Sequence, residues 1–129
     1  MLNKENFILT DLDAHRIRKL PLETMLAHKI DYAIVVPVGH ISSNIVTMHS
    51  RVIYLDGKTG IRREVELVYP KEANSDTGKI SVLAPIGSAL LGLSVGQATD
   101  WVFPSGEVRS LRVERILFQP PYSHLAKAS

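Results

Sequence analysis

The residues able to do chemistry in this chain are widely scattered. Its five histidines, His15, His28, His40, His49 and His124, lie nine or more positions apart. No pair has the i, i+4 spacing that sets two imidazoles on one helix face for a metal ion, so they read as surface and loop histidines. There is no cysteine, which removes disulfides, cysteine-ligated zinc and thiol nucleophiles. Acid/base work would draw on Glu64, Glu66, Asp76 and Asp100, but no spacing converges them. Glu64 and Glu66 share one face of a strand and read as a solvated, charged face. Ser81, Ser88 and Ser105 lack a nucleophile-elbow context. Gly87, Gly92 and Gly96 are spaced G-x4-G-x3-G with no following Lys-Ser/Thr, which is helix punctuation and not a phosphate loop. Trp101, the single tryptophan, sits among apolar residues in a strand-like run and reads as core. No catalytic residue, metal or cofactor is expected.

The elements around these residues fall into two textures. Residues 10–36 are helical in pattern. Thr10 and Asp13 have the form of a capping box, hydroxyl at N-cap and acid at N3, which predicts a first helix over about 11–19. Pro21 interrupts it and suits the first turn of a second helix, in which Leu22, Leu26, Ile30 and Ile34 recur every four residues. That helix should stop before Pro37, giving a short helical hairpin. From Ile45 the texture is β. "VTMHSRVIYLD" and "IRREVELVYP" flank the turn "GKTG" and should pair as a hairpin. Ile61, Val65, Leu67 and Tyr69 alternate with Arg62, Glu64 and Glu66, and Arg63 is the exception. "KEANSDTG" is a polar loop, "KISVLA" a third strand, "PIGSALLGLSVG" a short helix, "TDWVF" a fourth strand and "VRSLRVERILFQ" a fifth, with Leu111, Val113 and Leu117 toward the core. The expected class is α+β: an antiparallel sheet of about five strands with one packed helix, preceded by the hairpin. The expected organisation is an N-terminal helical arm (1–44), a sheet domain (45–120) and a loose tail (121–129).

Bulk properties narrow the function classes. The chain has 129 residues, 45% hydrophobic and 22% charged, with a formal net charge of +2. These values suit a folded domain well clear of disorder. Basic side chains are interspersed with acids, a mixed-charge surface and not a nucleic-acid stripe, so no sequence-specific nucleic-acid binding is expected. No stretch approaches the apolar length of a membrane span, the opening residues lack the features of a signal peptide, and the lack of cysteine suits a reducing, cytoplasmic setting. Neither repeats nor low-complexity tracts are present. What stands out is the join between strand and helix at "LAP": a proline-pinned loop on a rigid scaffold is suited to docking a partner.

The stretch "KISVLAPIGSALLGLSVGQATDWVFPSGEVRSLRVERI" resembles the C-terminal domain of the bacterial Gre transcript-cleavage factors, in which an I-S-V/I-x-S/A-P strand leads into "ALLG", "VGD", "P-G" and a final strand. Upstream, "VTMHSRVIYLDGKTGIRREVELVYP" and "LTDLDAHRI" are closer to the regulator of nucleoside diphosphate kinase (Rnk)-like branch of that family. The resemblance is dense over residues 46–120 and thinner over 10–17. It implies an FKBP-like C-terminal domain that docks on RNA polymerase at the secondary-channel rim, against a coiled coil of the largest subunit. Carried over by position, the docking loop is Ser81, Leu83, Ala84 and Pro85. Pro85 matches the family pattern; Leu83 stands where the Gre branch can carry an acid, and Gln97 where aspartate is usual.

The N-terminal half departs further from the Gre pattern. Gre factors carry a long coiled coil whose paired acids at the tip hold the polymerase's magnesium. Here the two helices would span only ~14 Å and ~22 Å, and the turn "RKLPLE" has a single acid, Glu23, where a metal-positioning tip needs at least two carboxylates. The resemblance therefore implies a non-enzymatic polymerase-binding regulator that competes with Gre-type factors and does not promote cleavage. The alternatives are an FKBP-like peptidyl-prolyl isomerase, which the low aromatic content of 6% argues against, and an adaptor that kept the fold but lost polymerase binding.

Overall fold

Thr10 ends one element and starts the next. In the computed structural model, which describes residues 6–121, β1 (Ile8–Thr10) runs directly into α1 (Asp11–Ile17). The Thr10 hydroxyl accepts the Asp13 N–H at 3.0 Å, and Asp11 and Asp13 lie in the first turn, where the helix dipole favours acids. The N-cap is the one read from the sequence. Next comes α2 (Thr24–Tyr32), with Leu26 and Ile30 buried.

The second helix is shorter than its four-residue stripe suggests. Ala33 adopts an extended conformation, and Ile34–Val36 forms β2, paired in parallel with β1 in the register Ile8↔Ile34. Ile34 thus leaves the helix, its N–H donating to the Phe7 carbonyl at 2.8 Å, and its side chain is half exposed. The run Ile34-Val35-Val36 is wholly β-branched, stiff at χ1 and suited to a strand. That local preference overrides the spacing.

The main sheet contains β3 (Arg51–Asp56), β4 (Arg62–Val68), β5 (Lys79–Ser81), β6 (Ala98–Val102) and β7 (Val108–Phe118), in the order β5-β4-β3-β7-β6, with α3 (Pro85–Leu90) between β5 and β6 in sequence. The expected hairpin is present: β3 and β4 pair antiparallel, with Val52 opposite Val65. Gly60, at φ +72°, closes the turn through a 2.8 Å bond to the Asp56 carbonyl. The sheet is mixed, however, and not purely antiparallel. β5 lies parallel to β4, with Glu66 opposite Lys79. The loop after β4 folds into two short 3-10 turns, Pro70–Glu72 and Ser75–Thr77. These carry the chain back to the end from which β4 started, so β5 leaves in the same direction.

β7 also departs from simple alternation. Leu111 and Val113 are fully buried, but Leu117 is half exposed, and Ile116 packs on the core in its place. The pairing with β3 steps over Glu114 and Leu117, and each bulge reverses which side chains face inward.

One apolar cluster joins both halves of the described chain: Leu9, Ile17 and Ile30 pack in the same core as Met48, Leu90 and Trp101. Two buried polar groups reinforce the junction. The Asp13 carboxylate accepts the Met48 N–H at 3.1 Å. The Lys29 ammonium donates to the carbonyls of Ser88, Ala89 and Leu91 at 2.8, 2.8 and 2.6 Å, with the rings of Phe7 and Trp101 at 4.3 and 4.9 Å. Beyond Pro121 the expected tail lies outside the described residues. Among those residues, no helix is long and apolar enough to cross a membrane.

Candidate docking surface

The turn singled out from the sequence is built by backbone hydrogen bonds around one hydroxyl. Val82 N–H donates to Val68 O at 2.9 Å, extending β5 against β4. The Ser81 hydroxyl then accepts the Leu83 N–H at 3.0 Å, and the Ser81 carbonyl accepts the Ala84 N–H at 3.0 Å. Ala84 is the N-cap of α3 and Pro85 its first residue, a position where the missing N–H costs nothing and the fixed φ suits the helix. From within that helix the Ser88 hydroxyl donates back to the Val82 carbonyl at 2.6 Å.

Gly87 packs directly under this turn. A Cβ there would lie 2.1 Å from the Ser81 carbonyl oxygen, a contact with backbone that no side-chain rotation relieves. The sequence reading treated Gly87 as punctuation; its function is close approach.

Ser81, Leu83, Ala84 and Pro85 are all half-buried, and Val82 between them is fully buried. They come together as one turn. Leu83 and Pro85 line a cleft of about 290 Å3 together with Met25 and Leu26 of α2 and with Trp101 and Phe103. Trp101 is 5% exposed, in keeping with its reading as core. Glu23, the single acid of the "RKLPLE" turn, is exposed and lines the same cleft. The involvement of α2 and of Phe103 was not legible from the sequence, because nothing in either segment's own pattern says that they meet across the turn.

The remaining chemistry-bearing residues stay dispersed. Glu64 and Glu66 face Arg51 at 4.0 and 3.5 Å on the outer face of the sheet, the charged strand face that was expected. His15, His28 and His40 are exposed. His49, at φ +66°, bonds the Glu72 carboxylate at 2.9 Å and meets the Tyr69 ring edge-on at 5.7 Å. His124 lies outside the described residues. Among the described residues, no group of three or more His, Asp or Glu side chains is placed to hold a metal ion.

Residues 41–118 match the family model described as transcription elongation factor, GreA/GreB, C-term. The chain is 34% identical over 128 residues to the regulator of nucleoside diphosphate kinase of Escherichia coli K12, covering 92% of this chain and 94% of that protein. It is 38% identical over 72 residues to the transcription elongation factor GreA of Thermodesulfovibrio yellowstonii, covering 56% of this chain and 46% of that one. Among solved structures, the prokaryotic transcription elongation factor GreA/GreB from Nitrosomonas europaea superposes with a TM-score of 0.69 at 33% identity, over 89% of this chain and all of that one.

Proposed function

The chain belongs to the GreA/GreB family of transcription elongation factors, and from that premise we propose that it is a non-enzymatic regulator of transcription that binds RNA polymerase. It docks at the rim of the secondary channel, against the coiled coil of the largest subunit, through the turn at Ser81, Leu83, Ala84 and Pro85. It thereby competes with Gre-type factors in the cytoplasm. The observation that carries this reading is the turn itself: pinned by Pro85, closely approached by Gly87 and lining a cleft with Met25, Leu26, Trp101 and Phe103.

Absence of transcript-cleavage activity belongs to the same proposal. With 7 and 9 residues, α1 and α2 extend only about 10 Å and about 14 Å, and both are fastened to the sheet domain. Glu23 is the single carboxylate of the turn between them. We propose a division of labour in which residues 45–120 dock and the N-terminal arm expected over 1–44 supplies, through Glu23, Thr24, Met25 and Leu26, one side of the docking cleft in place of a reaching arm.

The test is binding to purified core RNA polymerase with a Gre factor as competitor. Mutual exclusion is expected, at roughly micromolar affinity, with no stimulation of transcript cleavage in stalled complexes. Pro85→Ala should weaken binding and Leu83→Asp, which places an acid where the Gre branch can carry one, should alter it; affinity unchanged in both would remove the turn from the account. Binding that no Gre factor displaces would remove the turn from the account, and failure to bind would remove the partner. The cleft, with Trp101 and Phe103 in its lining, is the one feature favouring a second reading as a peptidyl-prolyl isomerase. Turnover of a proline peptide by the full chain, lost in Phe103→Ala, would establish that reading instead.

A further inference from the structure

Arg63 breaks the alternation of its strand, and the structure shows where that places it. Val65 and Leu67 are buried on the inner face of the sheet, and the strand period of two puts residue 63 on the same face. Its partner across the ladder is Tyr54, which is 4% exposed. An arginine directed inward from a sheet is costly to bury unless the face opens there to water. Here it does: a hollow of about 450 Å3 lies between the β3–β4 pair, the 3-10 turn at Ser75 and the first turn of α3, and both Tyr54 and Arg63 line it. This hollow is separate from the cleft beside Pro85, with which it shares no lining residue.

Its lining has the composition of a small-molecule site, an apolar body with a few polar groups. Val65, Ile80 and Ile86 supply the apolar wall. Tyr54 and Ser75 contribute hydroxyls and Arg63 a positive charge, while Glu64, which also lines the hollow, has its carboxylate 4.0 Å from the Arg51 guanidinium. Arg51, Arg62 and Arg109 each meet a carboxylate, whereas Arg63 forms no ion pair among the described residues. Burial is the largest influence on the Tyr54 hydroxyl and pushes its pKa up, opposed by the nearby positive charges of Arg63 and Arg109. At neutral pH the phenol therefore keeps its proton and is a donor. The polar side of the hollow thus offers a guanidinium and hydroxyl donors to a ligand that brings acceptors and negative charge.

We propose that this hollow binds a small organic anion, an oxyanion head group, carboxylate or phosphate, on a compact apolar body. The head group pairs with Arg63 and accepts from the Tyr54 hydroxyl, while the body lies against Ile80 and Ile86.

Phenyl phosphate, benzoate and neutral benzyl alcohol serve as probes, titrated into the full chain with backbone amide shifts followed by NMR. One or both anions should give saturable shifts clustered at residues 54, 63, 75, 80 and 86, and which of the two binds more tightly distinguishes a phosphate from a carboxylate ligand. Benzyl alcohol should give none there. Arg63→Gln should weaken the anion by roughly tenfold or more, and Tyr54→Phe by roughly threefold. Arg63→Gln should leave the melting temperature unchanged, which separates a ligand contact from a structural role. Equal shifts with benzyl alcohol, affinity unchanged in Arg63→Gln, or no saturable shift with either anion would overturn the assignment.

Discussion

The segment before Ile45 and the sheet after it are held in the fold by different means. The sheet is secured by alternating apolar side chains, with Val52, Leu67, Leu111 and Val113 nearly or fully buried on its inner face. The N-terminal segment also buries Leu9, Ile17, Leu26 and Ile30, but its position is specified by polar contacts: Asp13 on the Met48 N–H and Lys29 on three carbonyls around the end of α3. Apolar stripes determine which face of an element is buried. They do not determine which other element it meets, because one apolar surface packs nearly as well as another. Directional hydrogen bonds from buried charges do specify that partner, since leaving them unmade is costly.

Lys29→Met tests this contrast most severely. It keeps a linear side chain in place but leaves the carbonyls of Ser88, Ala89 and Leu91 without the ammonium. Loss of about 3 kcal/mol of unfolding free energy is expected in urea titration. A loss below about 1 kcal/mol would mean that the segment is held by apolar packing alone. The matching test within the sheet domain is Gly87→Ala. Its Cβ would press on the Ser81 carbonyl at 2.1 Å, so the turn must shift at a cost of about 2 kcal/mol. Because the strain falls on the turn, polymerase affinity should fall together with stability. Unchanged affinity in a destabilised variant would separate Gly87 from docking.

What the sequence revealed follows the same division. The Thr10 cap, the β3–β4 hairpin, the burial of Leu111 and Val113 and the turn at Pro85 were all legible, because each is encoded by neighbours in the chain. Three features were not. The parallel entry of β5 depends on how the 3-10 turns after β4 redirect the chain. The exit of Ile34 from the helix depends on a pairing with β1, far away in sequence. The placing of α2 across the cleft beside Pro85 depends on Lys29, which reads as an ordinary surface cation until its partners are known. Arg63 is intermediate: its break in the pattern was visible, but the hollow it lines is made by residues from four other elements.

The bulges of β7 allow a smaller and sharper test within the sheet itself. Strict alternation predicts that Leu117 is the buried residue; the structure assigns that role to Ile116. Ile116→Ala should cost about 1.5 kcal/mol, toward the lower end for a partly buried isoleucine. Leu117→Ala should stay within about 0.5 kcal/mol of the parent. The reverse order would mean that the pairing has no bulge at Glu114.

The smallest expected effect comes from the open end of the β3–β4 pair, where His49, just before β3, meets Glu72 in the 3-10 turn after β4. Burial alone would push the Glu72 carboxyl up, but the hydrogen bonds from His49 and from the Tyr69 N–H outweigh it, so its pKa lies below the ordinary value of 4.5. A carboxyl with a depressed folded-state pKa contributes stability above the unfolded value, and that stability is lost as pH falls through the folded one. The pair is partly solvent-exposed, so screening limits the contribution to about 0.5 kcal/mol. Melting temperatures of the parent and of Glu72→Gln, followed from about pH 6 to about pH 3, should differ most at the upper end and converge at the lower. A constant offset over that range would mean that the loss comes from the neutral hydrogen bonds of the 3-10 turn and not from charge. Against the expected cost of Lys29→Met, the contrast places the weight of this fold on buried directional contacts, with exposed ion pairs adjusting it only at the margin.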